Sequence, residues 1–223
     1  MIEQNNRPEL PVTVDRISVQ KKNSNRFSLY GKTGFICGVS TDTLLKLQLA
    51  KGTVIDASLF EQIRMVEDRE KIRNYLFDLL SRRSHAGGEL FDKAVKKGFD
   101  TGIINELIDE LKEKNYINDP DFACRFAVDK LRLNQWGPLK ISAELLKKSI
   151  DKQVAETAIQ KAVEEVNPEQ ICVRLIQKKK RKFLSEKDTF RRKQKIFAYF
   201  MRKGFKLETI KTALKSVSFI QDV

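Results

Sequence analysis

Five consecutive cations, Lys178, Lys179, Lys180, Arg181 and Lys182, form the densest block of reactive side chains in this chain of 223 residues, and Arg191, Arg192, Lys193 and Lys195 follow shortly after. Side chains of this type, so closely spaced, bind phosphates or another polyanion. The net charge of +13 is correspondingly lopsided. Residues 1–70 carry +1, 71–120 carry 0 and 121–165 carry +1, whereas 166–223 hold sixteen basic residues against five acidic ones. A polyanionic partner is expected there, most simply nucleic acid or a protein already bound to it. A solvated helix face is the competing reading. The helix dipole accounts for lysines at the end of one helix but not for cations opening the next, where acids are favoured. The aromatics Phe183, Phe190, Phe197, Tyr199, Phe200 and Phe205 are interleaved with these charges and have the chemistry to stack on bases. Phe197 and Phe200 nevertheless fall on a helical apolar stripe, which favours core packing.

Other reactive residues lack the company they would need. Ser84 and the lone His85 suggest nucleophilic chemistry, but no third group completes a constellation, and Ser84 is expected to cap the next helix. Cys37, Cys124 and Cys172 are far apart and in apolar settings, as expected of reduced, buried thiols without metal-ligand spacing. No phosphate loop of the form G-x-x-x-x-G-K-[ST] occurs. The sequence therefore predicts no catalytic, cofactor-binding or metal-ligating residue. Trp136-Gly137-Pro138 precedes a helix, with Pro138 suited to its first turn. Trp136 then either packs across helices or stands exposed as an interface anchor.

Two kinds of element must position these residues. From Val12 to Val39 the runs "VTVDRISV", "RFSLY" and "GFICGV", parted by turn sequences, predict three short antiparallel strands. A helical piece from Thr41 to Leu49 and a glycine turn in "AKGTVI" come after them. This segment is too small for a strong core of its own and is expected to pack on the next domain; pairing of its strands with a partner is the alternative. From about residue 64, helical periodicity takes over. Ile72, Tyr75, Leu76, Leu79 and Leu80 share one helix face, Leu90, Ala94 and Val95 a second, and Ile104, Leu107, Ile108 and Leu111 a third. A shift of 51 residues carries Leu90, Ala94 and Val95 onto Ile141, Leu145 and Leu146; a shift of 106 carries them onto Ile196, Phe200 and Met201. One three-helix unit is thus written three times, with extra residues inside the third.

The phrase K-K-G-F at Lys96–Phe99 and its counterpart R-K-G-F at Arg202–Phe205 mark the end of the second helix of a unit: a glycine in the left-handed region, then an apolar residue folding back. In the middle unit Ser149 stands at the glycine position, and a distorted turn is expected there. Asp100 and Asp151 are expected to cap the third helices.

Residues 116–150, "YINDPDFACRFAVDKLRLNQWGPLKISAELLKKSI", resemble the central signature of the RecX family of RecA regulators, through Asp119, Phe122, Ala123, Val128, Arg132, Gly137, Lys140, Ile141, Glu144, Leu145 and Ile150. Arg83, Ser84, His85, Glu89, Leu90, Lys97 and Gly98 add a second family-like stretch, "RRKQKIFAYFMRKGF" a third, and coverage runs over about 66–217. The expected fold is mainly α: three tandem three-helix repeats, helix-turn-helix-like, in an elongated array after a small N-terminal antiparallel β segment. The expected boundaries are 1–63, 64–117, 118–166 and 167–223. No apolar run approaches the roughly 20 residues that span a bilayer and "MIEQNNRPEL" holds no hydrophobic signal core, so a cytoplasmic protein is expected. The resemblance implies a non-enzymatic regulator without cofactors, expected to be monomeric. It would bind the RecA filament, meeting single- or double-stranded DNA directly or through RecA, and restrain strand exchange, ATP hydrolysis and filament growth in DNA repair and recombination. Candidate contacts to RecA or DNA are Lys178, Lys179, Lys180, Arg181, Lys182, Arg191, Arg192, Lys195, Arg132, Lys140 and Trp136. A stand-alone DNA-binding protein using the basic third repeat is the alternative.

Overall fold

The computed structural model describes residues 8–21 and 23–217. The chain opens with β1 (Val12–Thr13), β2 (Arg16–Gln20), β3 (Asn23–Gly31), β4 (Gly34–Ser40), α1 (Thr41–Lys46) and β5 (Val54–Ile55), and continues into α2 (Ala57–Arg82). Two compact units result, divided between Phe77 and Asp78 inside α2.

In the first unit β2, β3 and β4 form an antiparallel meander, with Ile17 opposite Leu29 and Phe27 opposite Val39. The first predicted strand run splits in two. Val12 and Thr13 leave the meander to pair with Ile55 and Val54, so "AKGTVI" ends in a strand as well as holding a turn. Val14 is fully buried at the split, and its N–H donates to the Thr53 carbonyl. Leu29, Ile36, Val39 and Ile55 form the core with Phe60 and Ile63 of α2. The β segment does borrow its closing layer from the helix after it. Helix α2 starts earlier than periodicity predicts, because Asp56 accepts the Leu59 N–H at 2.8 Å and neither glycine nor proline interrupts residues 57–82.

The second unit holds the repeats. After the end of α2 come α3 (Gly87–Lys96) and α4 (Thr101–Glu113). The second repeat is α5 (Asp119–Arg132), α6 (Pro138–Leu146) and α7 (Lys152–Glu165). The third is α8 (Pro168–Lys178), α9 (Lys180–Leu184), α10 (Thr189–Arg202) and α11 (Leu207–Lys215). The stripe positions Leu90 and Ala94, Ile141 and Leu145, and Ile196 and Phe200 are fully buried. The third member of each set, Val95, Leu146 and Met201, is exposed, so the stripe is one residue narrower than the sequence suggested. The extra residues of the third repeat are not a plain loop: α9 occupies them, pinned by buried Phe183.

The three turns after the second helices are alike. Gly98, Ser149 and Gly204 have φ of 79°, 58° and 85°. The N–H groups of Phe99, Ile150 and Phe205 return to the carbonyls of Ala94, Leu145 and Phe200 at 3.3, 3.1 and 3.1 Å. The expected distortion at Ser149 is therefore absent: its backbone takes the left-handed conformation, at the cost a Cβ imposes there. Asp100 and Asp151 cap α4 and α7 as expected. Ser84 does not cap α3. The cap position is Ala86, and the Gly87 N–H is taken at 2.8 Å by the carboxylate of Asp119, which begins α5.

Candidate nucleic-acid interface

The basic run spans the junction of α8 and α9. Lys178, Lys180, Arg181 and Lys182 are exposed. Lys179 is half-buried at the C-cap of α8, its ammonium 5.3 Å from the centre of the Tyr199 ring on α10. The cations that open α10 have local work. Asp188 caps this helix through the Arg191 N–H, and the Arg191 side chain lies 3.8 Å from the same carboxylate. Arg192 donates to the carbonyls of Glu186 and Lys187, and Lys195 pairs with Glu186. Arg192 and Lys195 hold the loop between α9 and α10, and Arg191 lies beside the carboxylate that caps the helix, which accounts for cations sitting where the helix dipole disfavours them. Arg132, at the end of α5, is likewise engaged by Glu165 at the end of α7.

Trp136 is half-buried and packs on the core of the second unit, as the first of its two sequence readings expects. The Lys140 ammonium lies 4.2 Å from its ring centre and that of Lys130 lies 5.2 Å away. Lys130 also lies 5.1 Å from the Phe126 ring. Lys203, from the turn after α10, donates to the carbonyls of Asn134 and Gln135 at 3.3 and 3.2 Å, immediately before Trp136. Its ammonium is 6.0 Å from the Tyr199 ring. Lysines and half-buried rings thus alternate from α5 through the start of α6 to α10 and the end of α8. Burial, then the charges of Lys140 and Lys179, push the Lys203 ammonium below its ordinary pKa. Sequence reasoning included Trp136, Lys140 and Lys179 but missed Lys130 and Lys203. They lie far apart along the chain, and the alternation exists only once the repeats are stacked.

A second polar cluster lies where the first repeat meets the second. Glu89 on α3 accepts from Arg83 and, at 3.0 Å, from Lys148 in the turn after α6. Burial works to raise the Glu89 carboxyl, and these two hydrogen bonds with their charges outweigh it, leaving it at about 2. His85 is buried, with Nδ1 3.2 Å from Glu89, and burial pushes its pKa down. An open cleft of about 390 Å³ lies alongside, lined by Arg83, Arg125, Lys130 and Lys148 with Phe122 and Phe126. Buried Cys37 and Cys172 are pushed up to about 12 by burial, far from thiolate chemistry, while Cys124 is half-buried rather than buried.

Comparison with known proteins gives this architecture its relatives. Residues 13–56 match the family model described as the Regulatory protein RecX N-terminal domain, residues 118–159 the RecX second three-helix domain, and residues 168–214 the RecX third three-helix domain. The resemblance thus extends over the β segment as well as the repeats. Regulatory protein RecX of Bacillus subtilis (strain 168) is 30% identical over 211 residues, 94% of this chain and 78% of that protein. Regulatory protein RecX of Staphylococcus saprophyticus is 30% identical over 210 residues, covering 93% and 75% of the two chains. A crystal structure of regulatory protein RecX superimposes with a TM-score of 0.73 at 21% identity, over 90% of this chain and 99% of that one. RecX from Lactobacillus salivarius gives a TM-score of 0.62 at 24% identity, over 69% and 99%.

Proposed function

The chain belongs to the RecX family of regulatory proteins, and on that premise we propose that it binds RecA and RecA–DNA filaments in the cytoplasm, as a monomer, and mostly inhibits their recombinase and ATPase activity. The observation that carries this reading is the exposed basic surface of the third repeat, Lys178, Lys180, Arg181 and Lys182, on a chain segment of net charge +11. Cations here strengthen association beside DNA phosphates and make it sensitive to salt. Tandem repeats present recurring surfaces suited to successive protomers of a polymer.

Stand-alone duplex binding through the third helices of the repeats is the weaker reading. The exposed residues of α4 include Glu106, Asp109, Glu110 and Glu113, and those of α7 include Glu156, Glu164 and Glu165, which phosphates repel. Lys211 and Lys215 on α11 suit DNA better. The deciding experiment adds the purified protein to RecA on single-stranded DNA and follows ATP hydrolysis. Inhibition at stoichiometric amounts is expected; an unchanged rate removes the reading.

A further inference from the structure

The two joints between successive repeats are built from matching positions but differ in charge. With Leu90 aligned to Ile141, Glu89 aligns to Lys140 and His85 to Trp136; with Ser149 aligned to Gly204, Lys148 aligns to Lys203. In both joints the turn after the second helix of one repeat seats against the start of the second helix of the repeat before it. At the first joint a Cβ on Gly88 would come within 2.6 Å of the Lys148 carbonyl. At the second, the Gly137 and Leu139 N–H groups donate to the carbonyls of Lys203 and Gly204 at 2.7 and 3.0 Å. A Cβ on Gly137 would sit 2.2 Å from the Gly204 backbone.

The first joint is neutralised: Glu89 accepts from Lys148. In the second, lysine stands at both positions. Lys179 adds a third cation, sharing the Tyr199 ring with Lys203. None of Lys140, Lys179 and Lys203 forms an ion pair among the described residues, and Glu144, one turn beyond Lys140, is committed to Lys147 at 2.8 Å. Three ammonium groups face only the Glu144 carboxylate, which feels the Lys140 charge but is bonded to Lys147, at a position where the sister joint has a salt bridge; the local excess of positive charge is one that an anion relieves. Half-buried aromatic rings beside the cations are the second half of the pattern. Carboxylates on a protein partner would satisfy the charge but have no use for the rings, whereas an unpaired nucleotide strand offers phosphates and base faces together.

We propose that the joint between the second and third repeats is a binding site for single-stranded nucleic acid, in which Lys140, Lys179 and Lys203 take backbone phosphates and Trp136 and Tyr199 take bases. The lysines now lying over the rings swing onto phosphates and leave the outer ring faces to the bases. This extends the DNA-facing part of the function proposed above but is tested without recombinase, so that the two readings fail separately.

The test uses the full chain, oligothymidylate, and the fluorescence of its only tryptophan, Trp136. Wild-type emission should be quenched by the oligonucleotide, with an affinity that falls steeply with salt. Lys140→Glu rebuilds at the second joint the pair that the first joint already has, so the variant should melt no lower than wild type. It should nonetheless lose roughly tenfold or more in oligonucleotide affinity and flatten the salt slope by about one to two, since Lys203 becomes engaged. Lys140→Gln, which removes the charge without adding one, should give an intermediate loss and guards against a folding artefact. Wild-type affinity and salt slope in both variants would overturn the site, whatever RecA ATP hydrolysis does. Quenching by polyglutamate but not by oligothymidylate would overturn it in favour of an acidic protein partner, and equal affinity for a duplex would remove the base-stacking part.

Discussion

Glu67 and Glu89 each gather several donors around one carboxylate, and each does so within its own unit. Glu67, buried on α2, accepts from the Ser40 N–H at 2.6 Å, the Thr43 hydroxyl at 2.6 Å and Arg26 at 2.9 Å. It thereby ties the β4–α1 turn to α2. Burial opposes its charge, yet the hydrogen bonds from Thr43 and Ser40 and the Arg26 cation hold its pKa below the ordinary 4.5. Glu89 is lowered further, to about 2. Both folded-state values lie below the unfolded ones, so both carboxylates contribute stability that is present above the unfolded value and lost as pH falls through the folded one. Acid titration followed by circular dichroism should therefore show stability declining from about pH 4.5 down to about 2, and Glu89→Gln should remove part of that dependence. A pH profile identical to wild type would mean that Glu89 is not held as described. Replacing Glu67 by alanine leaves Arg26 the Gly38 carbonyl alone and takes an acceptor from the Ser40 N–H and the buried Thr43 hydroxyl, and should cost about 2 kcal/mol in denaturant unfolding. Neither role was legible in the sequence. The partners of Glu67 lie 24 to 41 residues away, and those of Glu89 as far as 59.

At the scale of elements, what was legible was local. Helix stops written as lysine, glycine and an apolar residue, and Asp100 and Asp151 as caps, depend on neighbours within one turn, and they stand where the spacing put them. The errors arose where a distant group replaced a local one. Asp119, from the next repeat, serves α3 in place of Ser84, and β5 takes β1 out of the meander. The Ser149 turn differs from expectation for another reason: propensity disfavours the conformation, and tertiary packing imposes it. That strain is measurable. Ser149→Gly should stabilise the protein by about 1 kcal/mol, because glycine adopts φ of 58° without the Cβ penalty. Gly88→Ala should destabilise it, since the new Cβ would lie 2.3 Å from the Ser149 Cβ and 2.6 Å from the Lys148 carbonyl. Combining them should relieve the clash with the Ser149 side chain but not that with the Lys148 carbonyl, so the double variant should remain less stable than Ser149→Gly alone. Full recovery in thermal denaturation would show that the backbone of this joint gives way.

Across the whole molecule, charge is distributed by repeat, and the third repeat carries two sorts of cation that the sequence could not separate. Lys178, Arg181 and Lys182 are exposed and form no ion pair among the described residues. Arg191, Arg192 and Lys195 are spent on Asp188, Glu186 and the carbonyls of the α9–α10 loop. By composition alone both triplets belong to one patch; by geometry one is available to a partner and the other holds a connection within the repeat. The two should respond differently to reversal to glutamate. The triple change at Lys178, Arg181 and Lys182 should leave the melting temperature near wild type, weaken binding to RecA–DNA filaments and flatten its salt slope by up to about three, one for each phosphate that is no longer neutralised. Reversal of Arg191, Arg192 and Lys195 should lower the melting temperature, because Glu186 and Asp188 would then face new acids while two loop carbonyls lose their donor. Binding and stability measured on both triple variants separate the roles. Equal loss of filament affinity, with melting temperatures unchanged in both, would return the two triplets to a single undivided basic face and restore the reading that composition alone supports.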